Sequence, residues 1–494
     1  MSSNVQEIAS TTESSNAALA NIQREADEQD GAGTLQRRLS PIQLIVLGVG
    51  AIIGAGIFVT TGAVAAHFTG PAIVLSFVLA AGCCLCAALC YAEYAAMMPV
   101  SGSAFAYATA TFGERVGWTV GWCLILEYLM AAATVAIGWS GYFGALLESA
   151  GIHLSPALTA SPFAFDANGN LTFTGAWLNA PAAILLCLLT ALGLGGIRLS
   201  VRVTAGLVGI KLLVLLLFIG FGAFFVDPAN WDPFLPENTG TPGEFGWSGV
   251  VRGAAVIFYA YLGFDAVSTA ARETRNPQRN MPIGIIGSLA LCTAIYIAFS
   301  LVLTGLAPYT ALAAPNPVSV ALSYAGEQLQ FLKIGIEIAA SIGLISVLMV
   351  LMYAQSRVIF AFARNGLAPA GLGKVGSKSN APYNAVLLCG VVAILCAGLL
   401  PIDVLSQLIS MGTLTAFVVV CLGVLVLRYR MPDLERPVRT PFAPFVCTAG
   451  AACCGYLMLS MSEATWWRFL AWVALGLAIY ELYGRRNAAR LRAS

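Results

Sequence analysis

Twelve apolar runs dominate this chain of 494 residues, each near the roughly 20 residues that a helix needs to cross bilayer hydrocarbon. They extend from Ile42 to Ala66, Ala72 to Met98, Val116 to Leu147, Pro181 to Ile197, Val203 to Val226 and Val250 to Ala270. The second half adds Ile283 to Leu306, Leu332 to Arg357, Pro382 to Leu400, Val404 to Leu427, Phe442 to Met461 and Ala464 to Tyr483. A water-soluble domain has no core large enough to hide so many, so the predicted fold class is an all-α integral membrane protein with twelve transmembrane helices. Charge agrees: Asp, Glu, Lys and Arg make up 10% of the chain, against about 25% in soluble domains. The 25 Lys and Arg nearly cancel the 24 Asp and Glu, which leaves no basic surface for nucleic acid. The 13 Cys lie in or beside apolar runs and read as small hydrophobes rather than a disulfide framework. Two histidines, His67 and His153, stand apart from any Cys cluster, so neither a metal site nor a cofactor is expected. The first 33 residues are polar and lack the apolar core of a signal peptide.

Basic residues cluster on the cytoplasmic side of membrane proteins. With the N-terminus inside, that side receives Arg24, Arg37, Arg38, Arg115, Arg198, Arg202, Arg272, Arg275, Arg279, Arg357, Arg364, Lys374 and Lys378. It also receives Arg428, Arg430, Arg436, Arg439 and the final group Arg485, Arg486, Arg490 and Arg492. The outer segments from Glu148 to Ala180 and from Asp227 to Gly249 contain no Lys or Arg. Both termini are therefore expected in the cytoplasm, with the chain multi-pass in the plasma (inner) membrane. Residues 1–39 read as a disordered tail and 485–494 as a basic one. Within the outer segment, Asp166-Ala167-Asn168-Gly169-Asn170 is a turn signal predicted to top a small hairpin.

Two runs break ordinary helix rules. The first carries Gly48, Gly50, Gly54 and Gly56, and each glycine costs roughly 1 kcal/mol relative to Ala in a helix interior. The sixth holds Gly263 two residues before Asp265. Close packing of small residues is one reading, and it suits Gly48, Gly50 and Gly54. For Gly54-Ala55-Gly56 the favoured reading is that the chain unwinds. Non-helical backbone at membrane depth survives only beside a protein-buried or watered cavity. Freed N–H groups suit a carboxylate and freed carbonyls an ammonium, so paired breaks suit a zwitterion. Breaks in spans one and six also imply a repeat of five helices, inverted because five is odd. The expected organisation is a first repeat over 40–226, a second over 227–427, and two extra helices over 428–484.

Five stretches carry a resemblance to a known family. They are Gly50-Ala-Ile-Ile-Gly-Ala-Gly-Ile-Phe58; Tyr91-Ala-Glu93 with Pro99-Val-Ser-Gly-Ser-Ala104; Gly121-Trp-Cys-Leu-Ile-Leu-Glu-Tyr128; Ala260-Tyr-Leu-Gly-Phe-Asp265 with Glu273-Thr-Arg-Asn-Pro-Gln-Arg279; and Gln355-Ser-Arg-Val-Ile-Phe-Ala-Phe-Ala-Arg-Asn-Gly-Leu-Ala-Pro369. From Ser40 to Gly484 the sequence resembles the amino acid–polyamine–organocation superfamily, specifically the prokaryotic twelve-span form of its cationic amino acid transporter branch. The resemblance implies the inverted repeat, with a small amino acid held at the two breaks. It places Ile53, Gly54, Ala55, Gly56 and Ile57 around the substrate carboxylate. Tyr259, Ala260 and Leu262 would offer carbonyls to the ammonium and a wall to the side chain. Relatives of this branch often have Phe where this chain has Tyr259, and the added hydroxyl would narrow or polarise the pocket.

Ionisable groups within a membrane are costly and functional by default. Lys211 lies about nine residues, roughly 12 Å, into the fifth span. It reads either as a structural amine or as a titrating site. The resemblance implies that its amine takes the place of the ion that bridges spans one and eight in sodium-coupled relatives. Proton-coupled alternating access through Lys211 is the expected mechanism. Glu127 has two readings, a pocket carboxylate or a partner for a polar neighbour. Asp265 is expected to cap or pin the second half of span six, Glu337 to serve as a gate or local pair, and Glu93 to pair with loop arginines. Arg272, Glu273, Arg275 and Arg279 read as a solvated positive face or a cytoplasmic gate. The expected partners are a small amino acid, a proton and the lipid bilayer. An amino acid exchanger is the alternative. A membrane enzyme is disfavoured because the chain lacks clustered catalytic groups.

Overall fold

The computed structural model describes residues 39–54, 56–98, 103–165, 171–195, 201–264, 267, 274–364, 366–376 and 382–488. Ala55, Asp265, Arg272, Glu273 and the turn at 166–170 lie outside the described residues, as does the tail through residue 38.

Every one of the twelve apolar runs contains helix. In chain order these are α1 (Pro41–Ile52), α2 (Ile73–Met97), α3 (Ser103–Phe112), α4 (Glu114–Ser149), α5 (Ala180–Leu194), α6 (Val201–Gly222) and α7 (Gly246–Ile257). There follow α8 (Pro277–Leu306), α9 (Pro317–Tyr324), α10 (Gln330–Arg364), α11 (Tyr383–Leu399), α12 (Ile402–Arg430), α13 (Ala443–Leu459) and α14 (Glu463–Ile479). Among the described residues, 6 helical segments are long and apolar enough to cross a membrane unaided, and α13 and α14 meet at a 113° bend. The shortfall against twelve has local causes. The first and sixth runs are divided, while α5, α11 and α13 have 15, 17 and 17 residues. Sequence reading missed α3 and α9, short helices that lie between the apolar runs.

Helix starts follow local chemistry. Ser40 caps α1: its Oγ accepts from Gln43 N at 3.4 Å while its own N–H donates to Gln43 Oε1 at 2.9 Å, with Pro41 in the first turn. Such a box satisfies two N–H groups that the helix cannot. Asn179 caps α5 by its side chain alone, its Oδ1 accepting from Ala182 N at 3.2 Å and from the Ser140 hydroxyl of α4 at 2.8 Å. The expected hairpin is present, with strands β1 (Phe163–Phe165) and β2 (Leu171–Phe173) paired antiparallel.

Packing sorts the long helices into two groups. The segments α1, α2, α7 and α8 pack on one another, and α4, α5, α10 and α11 form a second set. Helix α6 touches both α8 and α10, and α12 lies along α4 and α13. At the C-terminal end of α2, Glu93 is buried and receives Arg428 Nη2 at 2.7 Å and the N–H of Thr440 at 2.7 Å. Arg436 Nε lies 3.6 Å from the same carboxylate. Glu93 thus pairs with the loop arginine Arg436, as the sequence suggested, and also with Arg428 in the last turn of α12, and ties α2 to the end of α12 and the connection to α13.

Candidate functional site

The two breaks lie against each other, and the first also touches α4 of the second group. Helix α1 stops at Ile52, and Ile53 adopts an extended conformation (φ −72°, ψ 102°). Beyond Gly54 the chain resumes at Gly56 in wide π-type turns over Gly56–Thr60, then passes through Thr61–Val64 to a second such turn at Ala65–Thr69. The sixth run breaks in a comparable way. Helix α7 ends at Ile257, a 3-10 turn covers Phe258–Tyr261, and Leu262 opens into extended backbone (ψ 139°). Gly263 follows with φ +114°, a value that side chains with a Cβ rarely adopt.

These interruptions touch. A Cβ on Gly56 would fall within the van der Waals envelope of Ala260, and one on Gly263 would lie 2.6 Å from the carbonyl carbon of Ala51. Gly54 differs, since its Cβ would meet only ordinary contact with Val347 at 3.7 Å. Gly48 packs against Ser288 and Gly50 against Val208, in keeping with the small-residue reading for those two. Ile53, Gly54, Gly56, Ile57, Tyr259 and Ala260 are all buried, and Leu262 is half-buried. The hydroxyl of Tyr259 is hydrogen-bonded to Thr60 across the gap, so the polarity it adds is engaged within the site.

Carbonyls freed by the breaks find specific donors. Lys211, buried on α6, donates from Nζ to the carbonyls of Gly50 at 3.3 Å and Ile53 at 3.1 Å. Its stem rests against Gly343 of α10, where a Cβ would come within 2.7 Å of Lys211 Cγ. The side chain therefore links α6 to α1 through its amine and to α10 through its stem. Tyr296, from α8, donates toward the carbonyls of Ile52 at 3.1 Å and Ala260 at 2.9 Å. Thr61 Oγ1 donates to the Gly56 carbonyl at 3.1 Å and Tyr142 to that of Phe58 at 2.7 Å.

The carboxylates are spread more widely. Glu127 is buried on α4 and accepts from Thr413 of α12 at 2.8 Å. Glu337, fully buried on α10, accepts from Ser319 of α9 and from Ser149 Oγ at 3.4 Å. It belongs to a polar cluster where α9 sits on α4 and α10. Sequence reasoning missed Tyr296, Thr60, Tyr142 and Thr413. A signal was available for Tyr296, because a tyrosine in the middle of an apolar run must find an acceptor for its hydroxyl.

Comparison with known proteins shows the family. The family model for amino acid permeases matches residues 39–479. A methylthioribose transporter of Bacillus subtilis is 43% identical over 460 residues, covering 93% of this chain and 96% of that protein. A branched-chain amino acid permease of the same organism is 43% identical over 459 residues, with 93% and 95% covered. Cationic amino acid transporter 9, a chloroplastic protein of Arabidopsis thaliana, is 40% identical over 429 residues, covering 86% of this chain and 73% of its own. The helical architecture, the apolar spans and these matches together make the chain a membrane protein of the amino acid permease family, within the amino acid–polyamine–organocation superfamily.

Proposed function

We propose that the protein is a secondary active transporter that carries a small amino acid with an apolar side chain inward, by alternating access coupled to protons. The observation that carries this reading is the meeting of two helix interruptions deep inside the protein. A zwitterion's carboxylate would take the N–H groups of Gly54, Ala55, Gly56 and Ile57, beside Ile53, whose own N–H donates to the Val49 carbonyl at 2.9 Å. Its ammonium would take carbonyls of the two breaks, with Tyr259, Ala260 and Leu262 lining the side-chain wall. Neutral side chains are favoured because the residues of the two breaks, from Ile53 to Ile57 and from Tyr259 to Leu262, are uncharged. The 43% identity to a branched-chain amino acid permease points the same way.

The membrane arrangement in this reading has twelve crossings. Residues 40–226 and 227–427 form inverted repeats, 428–484 supply two further helices, and both termini lie in the cytoplasm at the plasma membrane. The packing supports it: helices from spans one and two lie with those from six and seven, and those from three and four with eight and nine.

Lys211 is the coupling group. As an ammonium it braces α1 against α6 and α10 through the carbonyls of Gly50 and Ile53, which holds the outward, substrate-accepting form. Loss of its proton to the inner side weakens those bonds and frees α1 to open inward. The driving force suffices. One charge moved through 100 mV is worth about 2.3 kcal/mol, enough for accumulation on the order of 50-fold.

The test is uptake into liposomes of labelled leucine, alanine, arginine and methylthioribose, with and without an acidic exterior. Uptake of leucine driven by the gradient supports the reading. Preference for methylthioribose, the substrate named for an equally similar relative, would overturn the substrate, and indifference to pH would overturn proton coupling.

A further inference from the structure

Among the described residues, Tyr296 is the one side chain outside the two breaks that holds both of them at a single atom. Its hydroxyl carries one proton and stands 3.1 Å from the Ile52 carbonyl and 2.9 Å from that of Ala260. In an unbroken helix each carbonyl would accept from an N–H four residues on. That partner is lost to Ile52 where α1 stops and to Ala260 where the chain opens at Leu262. A buried carbonyl without a donor is costly, so the hydroxyl satisfies the pair and fixes where they point. The ring itself is fixed. It is buried against Phe77, with centroids 5.2 Å apart, and against Tyr261 at 5.4 Å. Tyr296 belongs to α8, which packs on α1 and α2 and makes no part of either break.

We infer that Tyr296 is a positioning residue for the substrate's ammonium. Each carbonyl oxygen has two lone pairs. The hydroxyl uses one direction and leaves the other for an ammonium, while keeping the two oxygens converged within reach of one cation. Without the hydroxyl the carbonyls turn independently, and the site loses its means of telling an amino acid from the same molecule lacking nitrogen. This inference rests on the proposed amino acid site. It adds a residue from outside the two interrupted segments, with a consequence confined to one end of the substrate.

The experiment compares purified wild type and Tyr296→Phe for binding of L-leucine and of 4-methylpentanoate, its analogue without the amino group. Phenylalanine keeps the ring and its packing. The ratio of the two affinities is taken on each preparation, so a misfolded fraction lowers capacity without altering the ratio. The expected result is that wild type prefers leucine, and that Tyr296→Phe narrows this preference by about tenfold, as for loss of one hydrogen bond serving a charged group, while 4-methylpentanoate binding stays within about twofold. An unchanged ratio, or equal weakening of both ligands, would overturn the positioning role and leave the amino acid site standing. Failure of wild type to bind leucine at all would overturn the site and the inference with it.

Discussion

Lys211 has backbone carbonyls, not a carboxylate, as its two hydrogen-bond acceptors, so the strength of its hold on α1 follows its own charge. Lys211→Met keeps the length of the stem against Gly343 and removes the donor. Uptake driven by an acidic exterior should fall at least about tenfold and lose its dependence on the gradient, as measured in liposomes at fixed internal pH. Glycine substitutions separate packing from binding at the first break. Gly56→Ala drives a methyl into Ala260 and should cost about 1–3 kcal/mol, the usual range for overpacking, read as a lower melting midpoint with loss of leucine binding. Gly54→Ala meets only ordinary contact with Val347 and should melt close to wild type. The glycine motif was legible because its cost within a helix demanded a reason. Which glycine touched the other break was not, since that depends on where Ala260 comes to rest.

At the scale of elements, the break in the first run was expected from its glycines and that in the sixth from Gly263 with Asp265 two residues later, and the structure has both. Helices α3 and α9 were not expected, because at 10 and 8 residues they are too short to register as apolar runs. Yet α9 supplies Ser319 to the buried Glu337. The link from α2 to the connection before α13 was partly readable: Glu93 at the end of an apolar run needed a cationic partner, and arginines were plentiful. Glu93→Ala leaves Arg428 and Arg436 without their shared carboxylate. Breaking a buried ion pair typically costs about 3–5 kcal/mol, so the variant should show a markedly lower melting midpoint in detergent. A melting midpoint equal to wild type would mean that the connection is held by other contacts.

Across the whole molecule, hydropathy located all the described α-helices but α3 and α9, because an apolar stretch in a membrane must satisfy its own backbone. It could not say how helices separated by a hundred residues would pair. That pairing puts α1 beside α8, brings Tyr296 to the breaks, and sets Lys211 between α1 and α10. Alternating access would then be movement of the group holding α1, α2, α7 and α8 against the group holding α4, α5, α10 and α11. The most direct measurement is an experimental structure with L-leucine bound. Density for the carboxylate should lie on the N–H groups between Ile53 and Ile57, and density for the ammonium between the carbonyls of Ile52 and the sixth-run break. Leucine found elsewhere, with these two stretches packed solidly against each other, would contradict the account.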